Sequence, residues 1–214
     1  MGLDMYLYAK NLSAGGFTHS RVSRKWYDNP DGTRGFTDTP IDPPKDEVVL
    51  FDKVLDAVGL GTFNEVVKTF PNMNFIEIAI QVGYWRKANA VHAWFVREVQ
   101  DGVDDCREYY VTHDALHRLR DTCQMVLDTV DKGELVKQVD PLWGEYDSYP
   151  NLKLDEALAA EVLPTQMGFF FGDTNYGAGY VADLEDTIRQ LDAVLNHPLF
   201  GNESEWSFEY HSSW

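Results

Sequence analysis

Polar and apolar positions alternate from the start of the chain. In "LDMYLYAKNL", residues 3 to 12, Leu3, Met5 and Leu7 interleave with Asp4, Tyr6 and Tyr8, the period of a half-buried strand. A second strand is predicted over 74–83, where Phe75, Ile76, Ile78, Ile80 and Val82 cluster and Gly83 ends the run. The period then changes. From Arg86 to Gln100, Ala88, Val91, Phe95 and Val99 recur at helical spacing, with Gly102 placed as a C-cap. "CREYYV", 106–111, predicts a further strand, and Thr112 caps a helix whose apolar stripe is Leu116, Leu119, Cys123, Val126, Leu127 and Val130. "GFFFG", 168–172, reads as a short apolar strand. It leads through the turn "DTNYGAG" into a helix with Val181, Leu184, Ile188, Leu191 and Leu195 on one face. The tail "EWSFEYHSSW" alternates Trp206, Phe208 and Tyr210 against Ser207, Glu209 and His211, as a last strand would.

Helical spacing also marks "DEVVLFDKVLDAVGLG", 46–61, and a short stretch near 152–162. Between these elements, residues 13–46 carry the Gly and Pro punctuation "SAGG", "NPDGTRG" and "TPIDPPKDE", which predicts a long loop or flap. The segment holding Trp143, Tyr146, Tyr149 and Pro150 is expected as a second loop. Interleaved strands and helices of these lengths predict an α+β fold. The expectation is a single domain over 1–214, with a mixed or mostly antiparallel sheet packed against about four to five helices.

Charge narrows the function classes. Acids outnumber bases 35 to 18, a formal net charge of -17, which argues against a nucleic-acid polymer because such binding draws on rows of Lys and Arg. A small anion needs only a local cluster of donors. Cys106 and Cys123 fall in different predicted elements, and neither a secretory signal nor an apolar run of about 18 residues is present. The expectation is a soluble, reduced, cytoplasmic protein with no membrane partner. Tyr6 stands where a myristoylation signal wants Ser or Thr. No Walker loop, G-x-S-x-G, Cys-x-x-Cys or H-E-x-x-H is found, so no cofactor and no catalytic residue is assigned. His113 and His117 have an i, i+4 spacing that suits a metal but lack a third ligand, and Asp104 with Asp105 reads more simply as a solvated turn than as a metal or ribose site.

Two stretches concentrate candidate chemistry. In "VGYWRKANAVHAWFV", 82–96, the strand-to-helix turn would hold Tyr84, Trp85, Arg86 and Lys87 at a helix N-terminus, where free N–H groups and the dipole attract an anion. Trp85, Asn89 and His92 share one helical stripe. Two cations in a first turn each cost roughly 0.3–1 kcal/mol unless an anion joins them. The structural alternative buries Trp85, Trp94 and Phe95 and pairs Arg86 with an acid. In "GFFFGDTNYGAGY", 168–180, Asp173, Thr174 and Asn175 form either an Asx-type turn or, with Tyr176 or Tyr180 as a wall, a binding loop in which Thr174 or Asn175 donates hydrogen bonds.

The blocks "MGLDMYLY", "VGYWRKANAVHAWFV", "QDGVDDCREYYV" and "LPTQMGFFFGDTNY" resemble a group of uncharacterised phage and bacterial proteins. The resemblance implies context rather than catalysis. A small, acidic, aromatic-rich phage protein is similar in kind to those that sequester nucleotide signals of bacterial defence. The expected function is therefore an oligomeric binding protein for a small anionic, nucleotide-like ligand. Phosphate would lie on Arg86 and Lys87, stacking would come from Trp85 and Tyr84, and hydrogen bonds from Asn89 and His92. The rivals are a nucleotide-cleaving hydrolase using His92 or Asp173 as base, and an inhibitor that binds a host protein.

Overall fold

The computed structural model describes residues 2–11, 21–30, 32–41, 79–142, 144–201 and 206–214. The chain falls into two compact units, one of Met1–Lys10 with Ala79–Trp214 and one of Asn11–Ile78. The fold is α+β, with four α-helices and eight strands among the described residues.

In the larger unit, β1 (Asp4–Asn11), β4 (Ala79–Arg86), β5 (Tyr109–Val111) and β8 (Trp206–Ser213) form a sheet in the order β4-β1-β8-β5. The pairs β1·β4 and β5·β8 are antiparallel. The alternation in β1 puts Leu3, Met5, Leu7 and Ala9 into the core with no exposed surface. Tyr6 and Tyr8 lie on the other face, where both stack on His211, at 4.9 and 5.7 Å between ring centres.

Helices α1 (Asn89–Glu98), α2 (His113–Leu127), α3 (Glu156–Val162) and α4 (Ala178–Leu195) follow the expected apolar stripes. Leu116, Leu119, Cys123 and Val126 of α2 and Val181, Leu184 and Leu191 of α4 are buried, and α2 packs along α4. Burial pushes the Cys123 thiol up to about 12, so it is an apolar core group. Thr112 caps α2 by accepting the Ala115 N–H at 3.1 Å. Gly102 follows α1 with φ of 79° and donates its N–H to Val96, an αL stop of the expected kind.

Several expectations are corrected. Gly83 does not end a strand, because β4 runs through it to Arg86. A Cβ there would lie 2.9 Å from the Trp85 indole and 3.1 Å from Leu7 Cβ, so glycine is needed to let the indole fold back over the strand. Helix α1 consequently starts at Asn89, three residues late. The expected strand at 106–111 is only Tyr109–Val111. Within the expected loop at 13–46, β2 (Arg21–Asp28) and β3 (Arg34–Ile41) form an antiparallel hairpin in the smaller unit, and Trp26 meets Phe36 edge-on at 5.3 Å. Gly32 N–H donates to Asn29 O at 3.0 Å where the two strands join, so the Gly and Pro punctuation there marks a hairpin rather than extended irregularity. The segment holding Tyr146 is likewise a hairpin, β6 (Val136–Asp140) with β7 (Gly144–Ser148). "GFFFG" is no strand. It is a turn in which Phe171 N–H reaches Gly168 O at 3.3 Å. The predicted helix at 46–61 and residues 74–78 of the predicted strand lie outside the described residues.

Candidate functional site

The two suspect stretches meet. A cleft of about 180 Å³ is lined by Arg86 and Lys87 after β4, Asn89 and Ala90 at the start of α1, Thr165, Gly172, Asp173 and Asn175 of the loop before α4, and Gly179, Tyr180 and Asp183 of α4. Five predicted site residues, Arg86, Lys87, Asn89, Asp173 and Asn175, therefore share one wall-to-wall space.

The cleft opens on two helix N-termini of an unusual kind. Neither Ala88, before α1, nor Gly177, before α4, makes a side-chain cap hydrogen bond, and neither helix has an acid in its first turn. The helices that begin elsewhere differ. Thr112 caps α2 and Asp114 sits in its first turn; Asp155 caps α3 and Glu156 follows. In a chain with 35 acids, leaving the two cleft-facing termini bare keeps their positive ends and free N–H groups available.

Lys87 joins β4 to α1 with φ of 61°, a strained conformation for a residue with a side chain. It is held by its N–H to Leu3 O at 2.8 Å and by Asn89 N–H to its own carbonyl, also 2.8 Å. Among the described residues its ammonium has no ion-pair partner. Arg86 is more than half exposed and lies 3.5 Å from the Asp4 carboxylate.

Asn89 turns out to be the latch of the site rather than a free donor. Its Nδ2 donates to Phe171 O at 3.2 Å and Asp173 O at 2.8 Å, and its Oδ1 accepts the Gln166 N–H at 3.0 Å. Buried and nearly saturated, it fastens the 166–173 loop to α1.

Asp183 and Asp173 bring opposite electrostatics. Burial, helped by the neighbouring Asp186, pushes the Asp183 carboxyl up to about 6. The Asn175 backbone N–H, then its side chain, holds Asp173 below its ordinary value, which is the Asx turn of the structural reading. Thr174 offers its carbonyl to the Thr165 hydroxyl at 2.9 Å. Tyr176 packs edge-on against Tyr180 at 5.0 Å, and neither Thr174 nor Tyr176 lines the cleft.

Three expected ligand contacts are displaced. Trp85 is 3% exposed, points into the core and donates its indole N–H to Thr187 Oγ1 at 2.9 Å, so it cannot stack on a ligand. His92 is wholly buried, with Nδ1 2.8 Å from Tyr210 Oη and Nε2 2.9 Å from Asp104 Oδ2. Both ring nitrogens are committed to that internal chain, which excludes His92 as a hydrogen-bonding ligand contact or as the base of a hydrolase at this cleft. Asp104 also accepts the Trp214 indole N–H at 3.1 Å, which accounts for a residue read as a solvated turn. Tyr84 is exposed but faces away from the cleft lining. It donates to Asp4 at 2.5 Å, which pushes its phenol above the ordinary value, and its backbone pairs with the Gln190 amide.

The residues missed from sequence were Thr165, Gly172, Gly179 and Asp183. A signal existed for one of them: Asp183 is an acid between Val181 and Leu184 on an otherwise apolar face. His113 donates its Nε2–H to Phe200 O at 2.7 Å, and no metal-type cluster of His, Cys, Asp and Glu occurs among the described residues. No helix of the described residues is long and apolar enough to cross a membrane. Comparison of the chain with protein-family models, curated proteins and solved structures returns no match.

Proposed function

We propose that the protein binds and sequesters a small phosphate-bearing, nucleotide-derived ligand, with the phosphate held in the cleft between Arg86, Lys87 and the first turns of α1 and α4. The observation that supports this reading is the pairing of two acid-free, uncapped helix N-termini with two adjacent cations in one cleft. Charge-assisted bonds from Arg86 and Lys87 would add to the attraction of two uncapped helix ends for an anion. A volume of about 180 Å³ is below the roughly 300–1,000 Å³ of a cleft that encloses a whole drug-sized ligand. The cleft suits a head group, with the remainder of the ligand lying outside it.

Binding without turnover fits the burial of His92 better than hydrolysis does. The test is a thermal-shift and calorimetric titration with inorganic phosphate, pyrophosphate and AMP, followed by chromatography of the released ligand. A ligand at 100 times its Kd adds about 2.7 kcal/mol of stability. Stabilisation with intact ligand recovered supports sequestration, and altered ligand would instead make the protein a hydrolase. No response to any phosphate compound would overturn the reading in favour of a protein partner.

A further inference from the structure

The head-group cleft leaves open where the rest of the ligand lies, and the loop on its rim carries an unusual surface. Met167 is 84% exposed, Phe169 83% and Phe170 49%. A folded chain gains by burying such side chains, so an exposed run of them beside a polar cleft calls for an occupant. Phe169 and Phe170 lie against each other with ring centres 4.2 Å apart. Phe170 has φ of 68°, a backbone conformation that a bulky residue adopts only under constraint. The constraint lies at the next residue. Asn89 Nδ2 holds the Phe171 carbonyl, and Phe171 itself is buried edge-on against His92 at 5.3 Å. Burying Phe171 and fixing its carbonyl turns the two preceding rings outward.

The backbone of this loop also stands close to the cations. A methyl group built on Gly2 would lie 3.6 Å from Lys87 Cε, 3.7 Å from Arg86 Nη2 and 4.0 Å from the Phe170 carbonyl. The two cationic side chains and the backbone of the aromatic loop thus meet around Gly2.

Resting on the phosphate reading above, we infer that Phe169 and Phe170 form a stacking platform for the base of the ligand whose phosphate Arg86 and Lys87 hold. Every nucleobase has a π-face, so the platform selects for a base-bearing phosphate over a bare sugar phosphate without specifying which base. An anionic membrane surface is a poorer occupant, because a chain of net charge -17 is repelled by it.

The test compares AMP with ribose 5-phosphate by isothermal titration, using wild type, Phe169→Ala, Phe169→Trp and Arg86→Ala. Wild type is expected to bind AMP about tenfold or more tightly than ribose 5-phosphate. Phe169→Ala should remove that advantage, leave ribose 5-phosphate affinity unchanged and be rescued by Phe169→Trp. Phe169 is exposed, so these variants are expected to fold. Equal affinity for AMP and ribose 5-phosphate, or AMP binding indifferent to Phe169→Ala, would overturn the platform and leave the phosphate site standing. AMP binding that depends on Phe169 but not on Arg86 would overturn the phosphate site and keep the platform. Sedimentation with phosphatidylserine vesicles that Phe169→Ala abolishes would assign the loop to a membrane surface instead.

Discussion

The stretches 82–92 and 168–175 both build the cleft, yet they do so by opposite means. The first is regular structure. β4 pairs Met5 with Trp85 and Asp4 with Arg86, so alternation sends Trp85 inward and Tyr84 and Arg86 outward before Lys87 breaks into α1. The second is irregular, and two of its three phenylalanines, Phe169 and Phe170, are exposed while Phe171 is buried. Periodicity therefore decides which donors of the first stretch reach solvent, whereas in the second stretch a single buried anchor, Phe171 with Asn89, decides. Hydrophobicity predicts burial only where a repeating backbone enforces a face.

The difference can be broken most severely at Asn89, which joins the two stretches. Asn89→Leu keeps the approximate volume but leaves the Gln166 N–H and the Phe171 and Asp173 carbonyls without their partner. The expected loss is about 3 kcal/mol or more in urea denaturation, together with loss of AMP binding. A variant of near wild-type stability would show that the loop is held by Phe171 burial alone.

Within the regular stretch, Arg86→Ala and Trp85→Phe should separate surface from core. Arg86→Ala is expected to weaken phosphate-ligand binding by about 1.5–3 kcal/mol, the range for a charge-assisted hydrogen bond, with little change in the urea midpoint. Trp85→Phe should lower stability by about 1–3 kcal/mol through the lost Thr187 hydrogen bond and the space left behind, with ligand affinity retained. Calorimetry and denaturation on both variants would erase the distinction if each moved both quantities together.

Lys87 sharpens the comparison because strain and function meet in one residue. Lys87→Gly relieves the positive φ and is expected to raise stability by up to about 1 kcal/mol, while ligand affinity falls with the lost ammonium. Opposite signs in a melt and a titration are the expected signature, and a fall in both would remove the strain argument.

The smallest expected effect is at Asp183. Its carboxyl rises from 3.8 to about 6 on folding, so the folded chain keeps a proton across that window which the unfolded chain has released. Stability consequently falls as pH rises from about 4 to 6 and stays lower above it. Asp183→Asn should melt slightly higher than wild type at pH 7.5, with the gap closing towards pH 4. It should also bind sulfate, whose charge is constant over this range, more tightly at pH 7.5. A gap independent of pH would assign the effect to packing.

Much of the fold was legible in the sequence because burial in regular elements repeats with a fixed period. Leu3, Met5 and Leu7 of β1, the Leu116 to Val126 stripe of α2 and the Leu184 to Leu191 stripe of α4 are buried as their spacing requires. Caps were legible for the same local reason, since Thr112 satisfies an N–H three residues ahead. The hairpin at 136–148 was not, because its exposed strands have no buried face to mark them.

The sequence by itself determined that cations, glycines and polar turn residues concentrate at 82–92 and 168–177, and that the chain alternates between strand and helix. Only the tertiary structure decided that these segments share a cleft, that α1 starts at Asn89 so that Trp85 and His92 turn into the core, and that Phe169 and Phe170 turn out. The reason is range. Alternation and capping act over two to four residues, whereas the bonds from Asn89 to Phe171 and Asp173 span more than eighty, and no local pattern encodes which distant carbonyl a buried amide will find.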